Sequence, residues 1–226
     1  MKRKDQKVAT RARVLSAART CFRAVDERDV AMIDIAERAG TSVGALYVHF
    51  HSRERLVDAV VDELQNELIE GLRHALLTIK QRDMGEAVLE LARTYLTLLR
   101  ALRPFFPLLA VQSARIMSAD VLRVGGGSAP LHQMLNATLG SLVATVRIRS
   151  DIPLLASGIA ALWRGAALSY AARPVADEAV IATSLADMTT AVLGRASPDL
   201  LAMDAQRLLR GMALYLRTTN VSEPPA

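Results

Sequence analysis

Apolar residues recur along this chain at intervals of three and four, and no stretch alternates convincingly at a period of two. The pattern predicts an all-α protein. Val14, Ala17, Ala18, Cys21, Phe22 and Val25 form a first stripe with Thr10 as N-cap, so a helix is expected over about 10–25, with residues 1–9 a polar arm. Its outer face carries Arg11, Arg13, Arg19 and Arg23, and Cys21 reads as a small buried hydrophobe. After a charged turn at Asp26 to Asp29, Val30 to Ala39 reads as a second helix with Ile35, Ala36 and Ala39 turned inward. Gly40 supplies the left-handed turn that ends it. Ser42 then caps a third helix, buried through Leu46 and Phe50, whose other face shows Val43, Gly44, Tyr47 and His49. Ser52 caps a fourth, in which Val60, Leu64, Leu68 and Leu72 predict one long helix reaching about residue 80, able to act as a rigid lever.

The remainder is helical by the same criterion. Val88, Leu91, Ala92, Tyr95 and Leu99 mark a helix over Met84 to Leu102. Pro104 and Pro107 break the pattern around Phe105 and Phe106, and a further helix is expected to about Val124. GGGSAP at 125–130 reads as a flexible loop, followed by a stripe of Leu131, Leu135, Leu139, Leu142 and Val146. Asp151 and Pro153 open the next helix, through Leu155, Ile159, Leu162, Trp163, Ala166 and Tyr170. Two last stripes follow, Ile181, Leu185, Met188 and Val192, then Leu201, Ala205, Leu208, Met212 and Tyr215, joined across Gly194 to Pro198. Such a pair can complete the monomer's own core or pair with its copies in a two-fold four-helix bundle. Residues 220–226 read as a disordered tail.

Composition narrows the class. A hydrophobic share of 51% excludes wholesale disorder, and one cysteine excludes an internal disulfide or a Cys-based zinc cluster. The basic N-terminus lacks an apolar core, so no secretory signal is expected, and apolar runs are interrupted by Arg, Ser or Thr before the roughly 20 residues of a membrane span. A soluble, cytoplasmic protein with no membrane partner is the expectation. The net charge of +5 is localised. Met1 to Leu56 holds 12 Lys and Arg against 7 Asp and Glu, whereas Val57 to Ala226 holds 16 against 16. A basic module on a neutral body is what attraction to phosphates asks for.

The run from Thr10 to Leu56 resembles the N-terminal DNA-binding domain of the TetR family of bacterial transcriptional regulators. The resemblance is carried by Thr10-Arg11, Ala17-Ala18, Phe22, Ile35-Ala36, Ala39-Gly40, Ser42, Gly44, Leu46-Tyr47, His49-Phe50, Ser52 and Leu56. It implies a three-helix helix-turn-helix domain at 1–56, then a larger helical effector-binding and dimerisation domain at 57–219. It implies further that helix three enters the major groove. On that implication Arg11, Thr41, Ser42, Val43, Gly44, Ala45, Tyr47 and His49 face DNA, with Arg53 standing where the family carries a phosphate-binding lysine. This sequence departs from the family at Asp26, where a turn glycine is usual, at Ala31, where a threonine cap is usual, and at Val43, where a polar residue is common. Val43 can pack on a thymine methyl but cannot donate to guanine.

The resemblance also implies a homodimer through the last two helices, with Ile181, Leu185, Met188, Val192, Leu201, Leu208, Met212 and Tyr215 at the interface. A dimer of this kind reads a palindromic operator on double-stranded DNA. It implies too a small-molecule effector held in the helical domain. Tyr95, Phe105, Phe106, Gln112, His132, Asn136, Trp163, Arg164 and Tyr170 are the aromatic or polar residues on otherwise aliphatic helices there, a set suited to a hydrophobic or aromatic ligand. The four histidines have no acidic or cysteine companion at ligand spacing, so no metal is expected. No nucleophile, base and acid group can be assembled, and no P-loop or GxGxxG stretch occurs, so neither enzyme activity nor a cofactor is expected. The functional expectation is a sequence-specific repressor released from its operator by its effector. The alternative is a small-molecule or protein-interaction module with a degenerate reader, for which Val43 and the missing cap at Ala31 speak.

Overall fold

The computed structural model describes residues 3–24, 29–109, 130–172 and 177–218. Among them regular structure is helical throughout, as the periodicity predicts. The order is α1 (Arg3–Ala24), α2 (Met32–Arg38), α3 (Val43–His49), α4 (Arg53–Thr78), α5 (Met84–Leu102), a 3-10 turn (Arg103–Phe105), α6 (Pro130–Leu142), α7 (Ile152–Ala172), α8 (Glu178–Ala196), α9 (Pro198–Ala202) and α10 (Ala205–Thr218). The described residues of Met1–Glu67 and Leu102–Val124 form one compact unit, and those of Leu68–Ala101 and Gly125–Ala226 another, so α4 supplies residues to both.

In the first unit α1 buries Val14, Leu15, Ala17, Ala18 and Phe22. The helix begins at Arg3, not at Thr10, so the stretch expected as a polar arm is helical from there on, with Asp5 complementing the dipole of its first turn. Cys21, expected to be buried, is half-buried at the edge of the stripe. Arg19 is not simply solvated. Its guanidinium donates to both carboxylate oxygens of Glu67 on α4, the Nη2 to Oε2 contact measuring 2.9 Å, and it also lies 5.8 Å from the centre of the Phe105 ring. The Glu67 hydrogen bond holds Arg19 above the usual guanidinium value. Because the pair is partly solvated, it orients α1 on α4 more than it stabilises the fold.

In the second unit α6 packs on α7 and α10, and α8 packs on α7 and α9. At Gly71 on α4 an added Cβ would stand 2.5 Å from a Leu98 methyl of α5, so a larger residue there would require the Leu98 side chain to shift. The Gln206 amide donates to the carbonyls of Ile79 (2.7 Å) and Gln81 (3.0 Å), fastening α10 to the loop after α4. The last stripe is interrupted. Pro198 opens the short α9, and Asp204 accepts from the Gln206 N–H to start α10 afresh. The stripe expected to run on to Val146 leaves the helix at Leu142, although Val146 is buried. The loop at 125–129, most of the helix expected to Val124, and the tail lie outside the described residues.

Two expectations are corrected by burial. Leu185, Leu208 and Met212, assigned to a dimer interface, face the chain's own core, with exposures of 0%, 5% and 4%. Periodicity shows that a face is apolar but not what covers it. Of the same set, Met188 and Leu201 are exposed, and Ile181, Val192 and Tyr215 are half-buried. The second correction concerns span length. The stretch Ile152–Ala171 of α7 is long and apolar enough to cross a membrane by length and composition, because Arg164 is its sole charge. Its Trp163 and Tyr170 side is buried within the unit, whereas the side carrying Leu154 and Leu168 is exposed.

Candidate nucleic-acid interface and apolar cavity

Helices α2 and α3 meet across a turn built from local chemistry. Gly40 has φ +63, a left-handed conformation, while the Gly40 and Thr41 N–H groups donate to the carbonyls of Glu37 and Ala36, each at 3.0 Å. Nothing lies within 4 Å of a Cβ built on Gly40, so Gly40→Ala is expected to cost only the backbone strain, about 1–2 kcal/mol. A lowered urea midpoint at unchanged slope would register it; an unchanged midpoint would contradict it. Ser42 Oγ accepts the Ala45 N–H at 3.1 Å and so starts α3. Ala31 at the head of α2 offers no side-chain acceptor, but the Asp34 carboxylate reaches back to its N–H at 3.3 Å. That supplies the half of a capping box an alanine permits. At the head of α4, Ser52 Oγ accepts the Arg55 N–H at 3.2 Å.

Leu46 and Phe50 are buried and seat α3. On the face opposite Leu46 stand Gly44 and Val48, one turn apart, with Tyr47 and Ala45 on the flanks. Val48 is 66% exposed and Tyr47 42%, while Ser42 and Gly44 are also exposed. Thr41, Val43, Ala45 and His49 are half-buried, Val43 and His49 lying three residues either side of Leu46 on its inward side. Val48 is the residue that reading the sequence missed. Its signal was present: four residues beyond Gly44, it must share the outward face.

Two of the basic candidates are engaged within the unit. The Arg11 guanidinium lies over the Phe50 ring, 5.0 Å from its centre, although Arg11 is exposed. The Arg53 guanidinium donates to the Val30 carbonyl, tying the start of α4 to the residue ahead of α2. Burial pushes the Asp62 and Glu63 carboxyls up on α4, with Arg11 opposing both shifts. Lys7, Arg13, Arg38 and Arg55 are exposed.

The second unit holds a partly open apolar pocket of about 50 Å³. Its wall includes Leu76, Met84, Leu91, Leu139, Trp163 and Met212 and carries no charged residue. Its polar groups, the Trp163 Nε1–H and the Thr189 hydroxyl, are bonded to each other at 3.2 Å, and Thr189 donates onward to the Leu185 carbonyl at 2.7 Å. Of the residues expected to bind ligand, Trp163 stands on this wall. Tyr95 backs it, with ring centres 5.1 Å apart and its hydroxyl donating to the Trp163 carbonyl at 3.3 Å. Burial pushes that hydroxyl up to about 12. Tyr170 is buried with its hydroxyl donating to Glu178 at 2.7 Å, Arg164 is exposed and Asn136 half-buried, and none of the three is on the wall. Phe105 and Phe106 belong to the first unit. Gln112 lies outside the described residues, as does the side chain of His132. Among the described residues no group of three His, Cys, Asp or Glu could hold a metal ion.

A helix, a glycine turn and a second short helix with an outward apolar face define a helix-turn-helix protein with a separate helical unit. Residues 14–60 match the model of the family described as bacterial regulatory proteins, tetR family. The match covers about a fifth of the chain, and over this segment the chain is similar to members of that family. It is similar to the HTH-type transcriptional regulator TtgR of Pseudomonas putida, 38% identical over 61 residues. The same figures hold for the probable HTH-type transcriptional regulator ArpR, also of Pseudomonas putida. The matched segment spans 27% of this chain and 29% of each relative. Fold similarity runs further. A TetR-family transcriptional regulator structure from Mesorhizobium loti superposes with a TM-score of 0.64 at 17% identity, covering 87% of this chain and all of that one. The TetR family repressor AlkX from Dietzia sp. gives 0.50 at 22% identity, covering 82% and 96%.

Proposed function

We propose that the protein is a sequence-specific DNA-binding transcriptional regulator acting as a repressor. In this reading residues 1–56 read a palindromic operator, and residues 57–219 hold a small apolar effector and a second copy of the chain. The observation that carries it is the α2–α3 arrangement, with its outward face exposed on the part of the chain that holds the excess positive charge. Tyr47 and the exposed Lys7, Arg13, Arg38 and Arg55 are placed to meet phosphates. Arg11 and Arg53 position the helices through Phe50 and Val30. Cytoplasmic location follows from the DNA partner.

The homodimer uses the outward faces of α7 and α8. Leu154, Gly158, Ala161, Gly165 and Leu168 form an exposed stripe on α7, and Val180 and Met188 are exposed on α8. Among the described residues no atom lies within 4 Å of a Cβ built on Gly158 or Gly165, so their packing does not require these glycines. A partner helix approaching closely would. Such a dimer spaces its reading helices by about one DNA turn, 34–36 Å.

The effector is uncharged and apolar, because a charge in the cavity would lose its hydration with no counter-charge on the wall. The cavity is well below the ~150 Å³ that accommodates benzene in other proteins. An effector of that size therefore selects a conformation in which the walls have parted, and a preference of this kind is what couples binding to release of DNA.

The reading is tested by footprinting the protein on the DNA upstream of its own gene at varied salt, with and without apolar ligands. Protection of no discrete site would reject it; a steep salt dependence without discrimination from random duplex would favour the non-specific alternative. Tyr47→Ala is expected to weaken operator binding about tenfold, as for a lost hydrogen bond to a charged group worth ~1.5 kcal/mol, with the helical circular dichroism unchanged. Unaltered affinity would remove Tyr47 from the interface.

A further inference from the structure

We propose that the outward face of α3 recognises thymine by its C5-methyl group, so that a half-site is defined by methyl-bearing bases under Val48. This rests on the DNA-binding reading above and names the chemistry the reader selects. In the major groove guanine shows two acceptors, adenine an acceptor and a donor, and cytosine a donor; Arg, Lys, Asn, Gln, Asp and Glu read these edges. The α3 sequence VGALYVH contains none of them. Its polar side chains are Tyr47 on a flank and His49, which is half-buried on the Leu46 side.

What α3 does present is Val48, the most exposed of the exposed large apolar residues of α2 and α3 at 66%. A valine held rigidly in water gains nothing there, whereas against a methyl in the groove it removes apolar surface from solvent. Thymine is the one standard base that offers such a methyl. Gly44 places it within reach. A Cβ there would meet only Ser42 Oγ, at 4.0 Å, so internal packing does not demand a glycine. Lacking a side chain one turn from Val48, the helix can sit deeper and bring the valine against the base edges. DNA is the occupant because the same segment holds the basic excess of the chain, 12 Lys and Arg against 7 Asp and Glu over Met1 to Leu56.

The test uses the full-length protein to select duplexes from two random-sequence pools, one made with thymidine and one with deoxyuridine, which differ by this methyl. Thymine should be enriched at fixed positions in the first pool. Replacing those thymidines by deoxyuridine should weaken binding roughly fourfold per methyl, from about 0.8 kcal/mol per buried CH2-sized group. Val48→Ala should weaken binding to the thymidine duplex and abolish most of its advantage over the deoxyuridine duplex, a coupling that a double cycle reads directly. Val48 is exposed, so its thermal midpoint should stay within a degree or two of the parent, which separates lost contact from lost fold. Equal affinity for both duplexes, with the selected sequence still preferred over random DNA, overturns the inference and leaves the DNA-binding reading standing. An equal loss on both duplexes in Val48→Ala also overturns it. Enrichment of no sequence from either pool overturns the DNA-binding reading itself.

Discussion

Leu46→Ala is expected to destabilise the first unit by about 2–5 kcal/mol and to abolish specific DNA binding. Helix α3 is seven residues long, far below the length at which a helix holds itself in water, and Leu46 is its one buried residue. At 0% exposure the side chain is the anchor that fixes where the outward face points. Removing it leaves a cavity beneath a helix that is then held by Phe50 at its C-terminal end and by the Ser42 cap, which contributes only about 1 kcal/mol. Because α3 is a small part of the chain, helical circular dichroism at low temperature should scarcely change while the urea midpoint falls. Val48→Ala on the opposite face supplies the control, with an expected change within about 0.5 kcal/mol. A cost for Leu46→Ala as small as that for Val48→Ala would show that α3 is not seated as described.

Trp163→Ala should cost about 3–5 kcal/mol in the second unit while enlarging the cavity. The indole is buried, lies tilted against the Tyr95 ring and donates to Thr189, so its loss removes packing, a ring contact and a buried hydrogen bond together. Thr189 keeps its bond to the Leu185 carbonyl, which limits the polar penalty. The variant also makes a second, opposite prediction. Indole added in solution can refill the space it vacates, so it should raise the melting temperature of Trp163→Ala more than that of the parent protein. An equal rise in both proteins, or no drop in the melting temperature of the variant, would mean that Trp163 is not a wall of this apolar pocket.

These two residues also show how much could be read beforehand. Leu46 was legible because it is seated by neighbours a few positions away: Gly40 in the left-handed turn, Ser42 at the cap and Phe50 at i+4 all act over one or two helical turns. Trp163 could be marked as exceptional on an aliphatic helix, but its companions could not. Tyr95 lies 68 residues away and Thr189 26 away, and no local pattern pairs them. The remaining aromatic and polar candidates failed to gather for a related reason. A polar residue on an apolar helix is conspicuous in the sequence whether it faces a cavity, solvent or a private partner such as Glu178 beneath Tyr170.

The sequence by itself determined the helical periods, the caps at Ser42 and Ser52, the position of the excess charge and the two short helices across Gly40, since each depends on residues close along the chain. Only the tertiary structure decided what each apolar stripe covers. It placed Leu185, Leu208 and Met212 in the chain's own core and left Leu154, Leu168 and Met188 outside. It also gave Arg53, expected at a phosphate, a carbonyl partner 23 residues away. The physical reason is common to all of these. Helical spacing defines a face, but the neighbour of that face comes from another part of the chain, and burial is a property of the two together.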